Sequence, residues 1–155
     1  MSLIDVHPTI LQTVGIKPET KPGTSLIDIA NADDDLERLV FAEYHAMGSA
    51  TGAFMLRKGD WKFIYYVSMQ PQLFNLVEDP DELHDLGTDS NYADIRHQME
   101  ADLRLICDPE AVDAEAKADQ AAIVEANGGK EAVLARGGFG ATPPPGVNAE
   151  YANKT

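Results

Sequence analysis

Cysteine is nearly missing from this chain. Cys107 is the single one in 155 residues, so no internal disulfide can form and a structural zinc site built from several thiolates is excluded. Positive charge is scarce as well, with 12 Lys and Arg against 26 Asp and Glu and a net charge of −14. A surface this acidic repels phosphate backbones and anionic lipid, which argues against nucleic acid and membranes as partners. No apolar run approaches the roughly 20 residues that a membrane helix needs. Residues 1–5 show no basic region followed by an apolar stretch, so they do not read as a secretory signal, and a cytoplasmic location is favoured. There is no internal repeat, and aromatics are only 7%, which allows a modest core.

What is present fits a soluble globular domain: 44% hydrophobic and 25% charged residues, at a length that suggests one domain. Leu3 and Ile4 read as a strand end. A helix is expected from Pro8 to about Val14, since proline is tolerated in a first helical turn and Gly15 stops the run. A helix of two turns cannot bury itself, and no nearby segment offers a partner surface. Residues 17–31, punctuated by Pro18, Pro22 and Gly23, read as a loop, and Asp33, Asp34 and Asp35 as a solvated cap before a turn. Residues 39–45 and 53–57 are rich in strand formers. Around the Lys58-Gly59-Asp60 turn, residues 61–67 predict a hairpin partner with Trp61, Phe63, Tyr65 and Val67 on one face. Residues 72–76 form a short fourth strand.

Asp79, Pro80 and Glu82 have the pattern of a helix start with a capping box, with Leu83 and Leu86 on one face. Tyr92, Ile95, Met99, Leu103 and Ile106 recur every three or four residues, which predicts an amphipathic helix able to cover a four-stranded sheet. A second helix, rich in alanine and poor in core residues, runs from Asp108-Pro109 to Gly128-Gly129, and residues 130–136 add a short turn. From Gly137 on, Gly and Pro dominate, and an extended tail is expected.

Four of these segments, taken in order, resemble the carboxy-terminal part of a sulfatase of the alkaline-phosphatase superfamily. Asp5-Val6-His7-Pro8-Thr9-Ile10-Leu11 followed by Gly15 and Gly23-Thr24-Ser25-Leu26 looks like the last strand and helix of the catalytic domain. Residues 55–64 resemble the hairpin of the small carboxy-terminal subdomain. Gln72-Leu73-Phe74-Asn75-Leu76 with Asp79-Pro80-Asp81-Glu82 and Leu86 looks like the family's closing motif, with Asn75 in place of Asp and Asp85 where Asn is common. The stretch from Asp119 to Gly146 is similar to tails of bacterial choline-sulfatase-like and related members. The resemblance implies an α+β fold: a small four-stranded antiparallel sheet packed on a long amphipathic helix, plus a strand-helix remnant of an α/β catalytic domain. It divides the chain into residues 1–31 (remnant and linker), 32–107 (subdomain) and 108–155 (helical extension and tail).

It also implies a parent enzyme with a divalent metal such as calcium, a formylglycine nucleophile and a catalytic domain that this chain does not contain. The nucleophile arises in Cys/Ser-x-Pro-x-Arg. Cys107-Asp108-Pro109 copies three positions, but Glu110-Ala111 follows and the Arg is absent, so Cys107 reads as a small buried hydrophobe. His7, His45, His84 and His97 make no His-x-x-x-His pair. Asp79, Asp81 and Glu82 lack EF-hand spacing, and Gly128-Gly129-Lys130 lacks the rest of a phosphate loop. The chain alone is expected to be inert, with no catalytic residue, metal ligand or cofactor of its own.

By the same resemblance, the segment 43–49 faces the active-site mouth, with His45 placed to contact substrate and Glu43 and Ser49 beside it. Imidazole suits that place because it donates or accepts near neutral pH. The alternative is an interdomain histidine bonded to backbone. Arg57, and with it Lys62, is a second candidate, as a cation drawing sulfate; strand-surface charges facing water are the alternative. The tail from Gly137 either packs on a neighbouring subunit in a homo-oligomer or stays disordered. Two further readings stay open: a phosphonate or phosphodiester hydrolase of the same superfamily, and a free-standing acidic interaction module without catalysis.

Overall fold

The computed structural model describes residues 2–17, 22–45 and 49–135. The expected tail from Gly137 and residues 46–48 of the candidate segment therefore lie outside the described residues. Two compact units divide the chain, Met1–Asp113 and Ala114–Thr155.

The first unit is built on one antiparallel sheet in the order β1 (Val40–Tyr44), β2 (Ala53–Lys58), β3 (Trp61–Tyr66), β4 (Gln72–Asn75). Period-two alternation sets its two faces. Phe41 pairs with Leu56, Leu56 with Phe63, and Phe63 with Leu73, so one row crosses all four strands on the core face. Phe54, Leu56, Phe63 and Leu73 are fully buried there, against Met99 and Leu103 of the helix Ala93–Ile106. Trp61, Tyr65 and Val67 pack on the same cluster, as their alternation predicts. The turn between β2 and β3 works because Gly59 takes φ +53°, the left-handed value that lets a two-residue loop follow the twist of the strands. Arg57, Lys62, Ile64, Tyr66 and Phe74 point to the other face, along with Val40 and Met55.

Four expectations are corrected. Leu3 and Ile4 are not a strand: Leu3–Asp5 is a 3-10 turn that leads into α1 (Val6–Thr13). Pro8 still lies in the first turn of α1, where its missing N–H costs nothing, so the helix begins two residues earlier than expected. Residues 26–31, expected as loop, form α2 (Leu26–Asn31), with the Ser25 hydroxyl accepting from the Ile27 N–H at 3.2 Å.

The largest departure follows β4. Asp79 starts no helix, because its carboxylate accepts from the N–H groups of Leu83 and His84, four and five residues on. Glu82 is held at φ +56°, which no α-helix can propagate. The chain turns back instead and closes the β4 edge. Leu86 N–H donates to Leu73 O at 2.8 Å, and Leu73 N–H donates to the Asp85 carboxylate at 3.1 Å. Leu83 is exposed while Leu86 packs on the core. These tertiary hydrogen bonds outweigh the local capping pattern.

The covering helix, α3 (Ala93–Ile106), buries Met99 and Leu103, with Tyr92 and Ile95 packed alongside. Its stripe ends early: Ile106 is 43% exposed and Cys107, just past the helix, takes the place against the core. The helix α4 (Pro109–Ala126) comes next, and then α5 (Gly129–Ala135), at whose start Gly128 and Gly129 both take positive φ.

The amino-terminal segment is tied down by one buried carboxylate. Asp5 is inaccessible to solvent and accepts from Ser2 N–H at 2.7 Å, from Thr24 N–H at 3.0 Å and from Arg38 through both oxygens at 2.7 and 2.8 Å. Thr9 links the two short helices, as its hydroxyl accepts from Leu26 N–H at 2.8 Å. Around this anchor the apolar residues turn outward: Leu3, Ile4, Val6, Ile10, Val14 and Ile16 are all exposed, Leu3 at 89%. Val6, Ile10 and Val14 follow one another at intervals of four and share a helical stripe.

Candidate functional site

His45 stands immediately after β1. Its ring meets Phe54 of β2 edge to face, 5.2 Å between centroids. Glu43, paired with Phe54 across the strands, brings a carboxylate oxygen to 3.8 Å from Nε2. That separation is too long for a hydrogen bond and serves as an ion pair only when the imidazole is protonated. The His45 side chain is 19% exposed and that of Glu43 46%, so the imidazole is sheltered and the carboxylate is open.

The opposite wall is the loop 49–52. Ser49 donates its hydroxyl hydrogen to Thr51 O, and Thr51 donates to Val67 O at 3.1 Å. Gly52 is buried, and its N–H donates to the carboxylate of Asp113 at 2.7 Å. A Cβ at position 52 would lie 2.8 Å from Cε1 of His45 and 2.9 Å from the Phe54 ring, so only glycine lets the loop come this close. Glu43, His45 and Ser49 thus belong to one end of the sheet. Ser49 directs its hydroxyl to its own loop.

Arg57 does not join them. It pairs with Val40 at the far end of β1 and points to the opposite face. Five residues of strand separate Val40 from His45, about 16 Å at the usual rise. Arg57 lines a cleft of about 590 Å³ together with Arg38, Asp28, Asp60 and residues 33–35. Its guanidinium forms no ion pair with any described residue. Lys62 is committed elsewhere, with Nζ 2.5 Å from the Glu82 carboxylate.

Two other polar clusters are self-contained. Arg104 forks onto Glu110 and reaches Glu100 and the Tyr65 hydroxyl, which itself donates to Glu110 at 2.5 Å. The Arg104 guanidinium and the Tyr65 hydroxyl hold the Glu110 carboxyl down at about 2, and the same carboxylate pushes the Tyr65 phenol up. Lys58 bridges Glu37 at 3.0 Å and Asp102 at 3.1 Å, with Glu37 the larger cause of its raised pKa.

Cys107 is half-buried, and burial pushes its thiol up, away from the thiolate that nucleophilic chemistry requires. Among the described residues no group of three or more His, Cys, Asp or Glu is arranged to hold a metal ion, and no helix is long and apolar enough to cross a membrane. The described residues thus present no ligand set for a divalent metal.

Sequence reasoning missed Asp5, Arg38 and Asp113, the groups that fix the anchor and the loop. Asp113 did leave a signal: it falls four residues after Pro109 and one after Val112, on the stripe of α4 that turns inward. A carboxylate at an apolar position of a helix has a partner more often than not.

A four-stranded antiparallel sheet under one covering helix, fronted by an apolar helical segment, defines an α+β domain. Residues 1–108 match the family model described as N-sulphoglucosamine sulphohydrolase, C-terminal, and the chain belongs to that family of sulfatase carboxy-terminal domains. Arylsulfatase K of Mus musculus is 35% identical over 118 residues, covering 68% of this chain and 21% of that protein. Arylsulfatase K of Homo sapiens is 31% identical over 118 residues, covering 68% of this chain and 22% of its own length. Among solved structures, a Bacteroides thetaiotaomicron protein assigned to the sulfatases is similar at 25% identity and TM-score 0.54, over 64% of this chain and 23% of that one. A 2-O GAG sulfatase shares the fold at 23% identity and TM-score 0.53, over 75% of this chain and 25% of its own. The chain spans about a fifth to a quarter of the length of these proteins.

Proposed function

We propose that this domain serves a sulfuric ester hydrolase by docking on the catalytic body and lending His45 to the rim of the substrate pocket, and that it is inert alone. The observation that carries the docking role is the row Leu3, Val6, Ile10 and Val14, all exposed on a segment whose backbone is nonetheless anchored through Asp5 and Arg38. An apolar row held in a fixed pose is what a permanent partner requires. Its occupant is the sulfatase catalytic domain, because the proteins this chain resembles are four to five times its matched length. The formylglycine nucleophile and the divalent metal belong to that body. The pocket role of His45 is supported by its sheltered imidazole at the loop end of the sheet.

Complementation tests both roles. A sulfatase catalytic region deprived of its own carboxy-terminal domain is co-expressed with this chain, and aryl sulfate hydrolysis is measured. Neither half alone is expected to turn over, and the pair is expected to do so. His45→Ala in the assembled pair should lower kcat/KM about tenfold, the equivalent of one substrate hydrogen bond at ~1.4 kcal/mol. Unchanged kcat/KM removes the pocket role. Failure of the halves to co-purify removes the docking role.

A further inference from the structure

We propose that Asp113 is a positioning residue for His45, acting through the backbone of Gly52; the inference rests on the reading of His45 as a pocket residue. Asp113 is 5% exposed, on the inward side of α4, and its carboxylate takes the Gly52 N–H at 2.7 Å. The carbonyl of Gly52 accepts from Val67 N–H at 3.4 Å, so both peptide groups of this glycine are engaged, one by a helix and one by the end of β3. The His45 ring lies directly against that backbone, since even a methyl at position 52 would come to 2.8 Å from Cε1 and 3.0 Å from Nδ1. Phe54 closes the second side of the ring.

The ring has backbone against one side and an aromatic edge against another, so a shift of either wall changes its surroundings. Phe54 is fully buried in the sheet. Gly52 is the movable wall, because glycine by itself accepts a wide range of φ and ψ. The carboxylate of Asp113 removes that freedom: a buried N–H must keep its acceptor, and the acceptor is fixed to a helix. Asp113 reaches His45 across 68 residues of sequence without touching substrate.

The test is the Cε1–H signal of His45 in carbon–proton NMR spectra of the full 155-residue chain, assigned by its loss in His45→Gln. Asp113→Ala is expected to shift and broaden that signal, while Asp113→Asn, which keeps an acceptor oxygen, restores it. His7, His84 and His97, all exposed, are internal controls that should not move. Gly52→Ala, which crowds the ring directly, should shift the same signal. If alanine at 113 does not fold, Asp113→Glu keeps the charge but relocates the oxygen and is expected to shift the His45 signal. An unshifted His45 signal in the folded Ala or Glu variant overturns the proposal, and so does a shift in Asp113→Asn as large as that in Asp113→Ala. The pocket reading fails separately: a His45 signal that follows Asp113, together with complemented activity indifferent to His45→Ala, supports the positioning and sinks only the catalytic relevance.

Discussion

Asp5→Ala is expected to cost about 3–5 kcal/mol, because it strands the arginine of a buried ion pair along with two backbone donors. Asp5 accepts from Ser2, Thr24 and Arg38, which join the 3-10 turn, the approach to α2 and the approach to β1. Arg38 has no substitute at hand, since its Nε is already buried without an acceptor among the described residues. The loss should be local before it is global. Amides of α1 are expected to exchange hydrogen at the rate of an unstructured chain, while those of β2 and β3 keep their protection. Equal loss of protection in the sheet would show that the segment 2–31 and the sheet unfold as one cooperative block.

The same carboxylate gives a pH dependence of known sign. Burial pushes the Asp5 carboxyl up, but the N–H groups of Thr24 and Ser2 and the Arg38 guanidinium together pull it below its ordinary value of 3.8. A group whose pKa is lowered by folding adds stability that is fully present above the unfolded value and is lost as pH falls through the folded one. Protection of the α1 amides should therefore be level from pH 7 down to about pH 5 and fall once the pH drops below 3.8. In Asp5→Ala that fall should be absent.

The contrast between Asp5 and the strands shows what can be read from residues alone. Phe54, Leu56 and Phe63 alternate with Met55, Arg57 and Lys62, and alternation is a local property that survives into the fold. The same holds for Met99 and Leu103 on α3. The segment after Asp79 has an equally strong local signal, yet it is not helical, because Asp85 and Leu86 are needed at the β4 edge. That need is visible only once β4 is in place. Asp5 was unreadable for a related reason: in a chain with 26 acids, nothing local marks it as buried, whereas Asp113 is marked only by its place on the inward stripe of α4. For the candidate site, the placing of Glu43, His45 and Ser49 at one end of the sheet was foreseeable as one strand end and its loop. That Arg57 lies on the other face follows from register, an odd number of residues from Phe54, and the commitment of Lys62 to Glu82 follows from a turn no pattern announced.

Phe63→Ala and Ile10→Ser separate the two kinds of apolar residue in this domain. Phe63 is fully buried at the centre of the row from Phe41 to Leu73 and against Leu103, with no solvent-facing side along which its neighbours can collapse. Truncation to alanine should cost about 3–5 kcal/mol, read as a lowered urea midpoint followed by Trp61 fluorescence. Ile10 is 56% exposed, so Ile10→Ser in the isolated chain should change stability by no more than about 0.5 kcal/mol. In the complementation assay the order should invert. A folded Ile10→Ser chain is expected to lose binding to the catalytic region, because a hydroxyl then enters an apolar interface without a partner. Any residual Phe63→Ala population that folds should still bind through an unaltered α1. If Ile10→Ser instead binds and activates as well as the parent sequence, the exposed row is not the docking face, and the catalytic body must be met by the opposite face of the sheet, where Val40, Met55, Ile64 and Tyr66 lie.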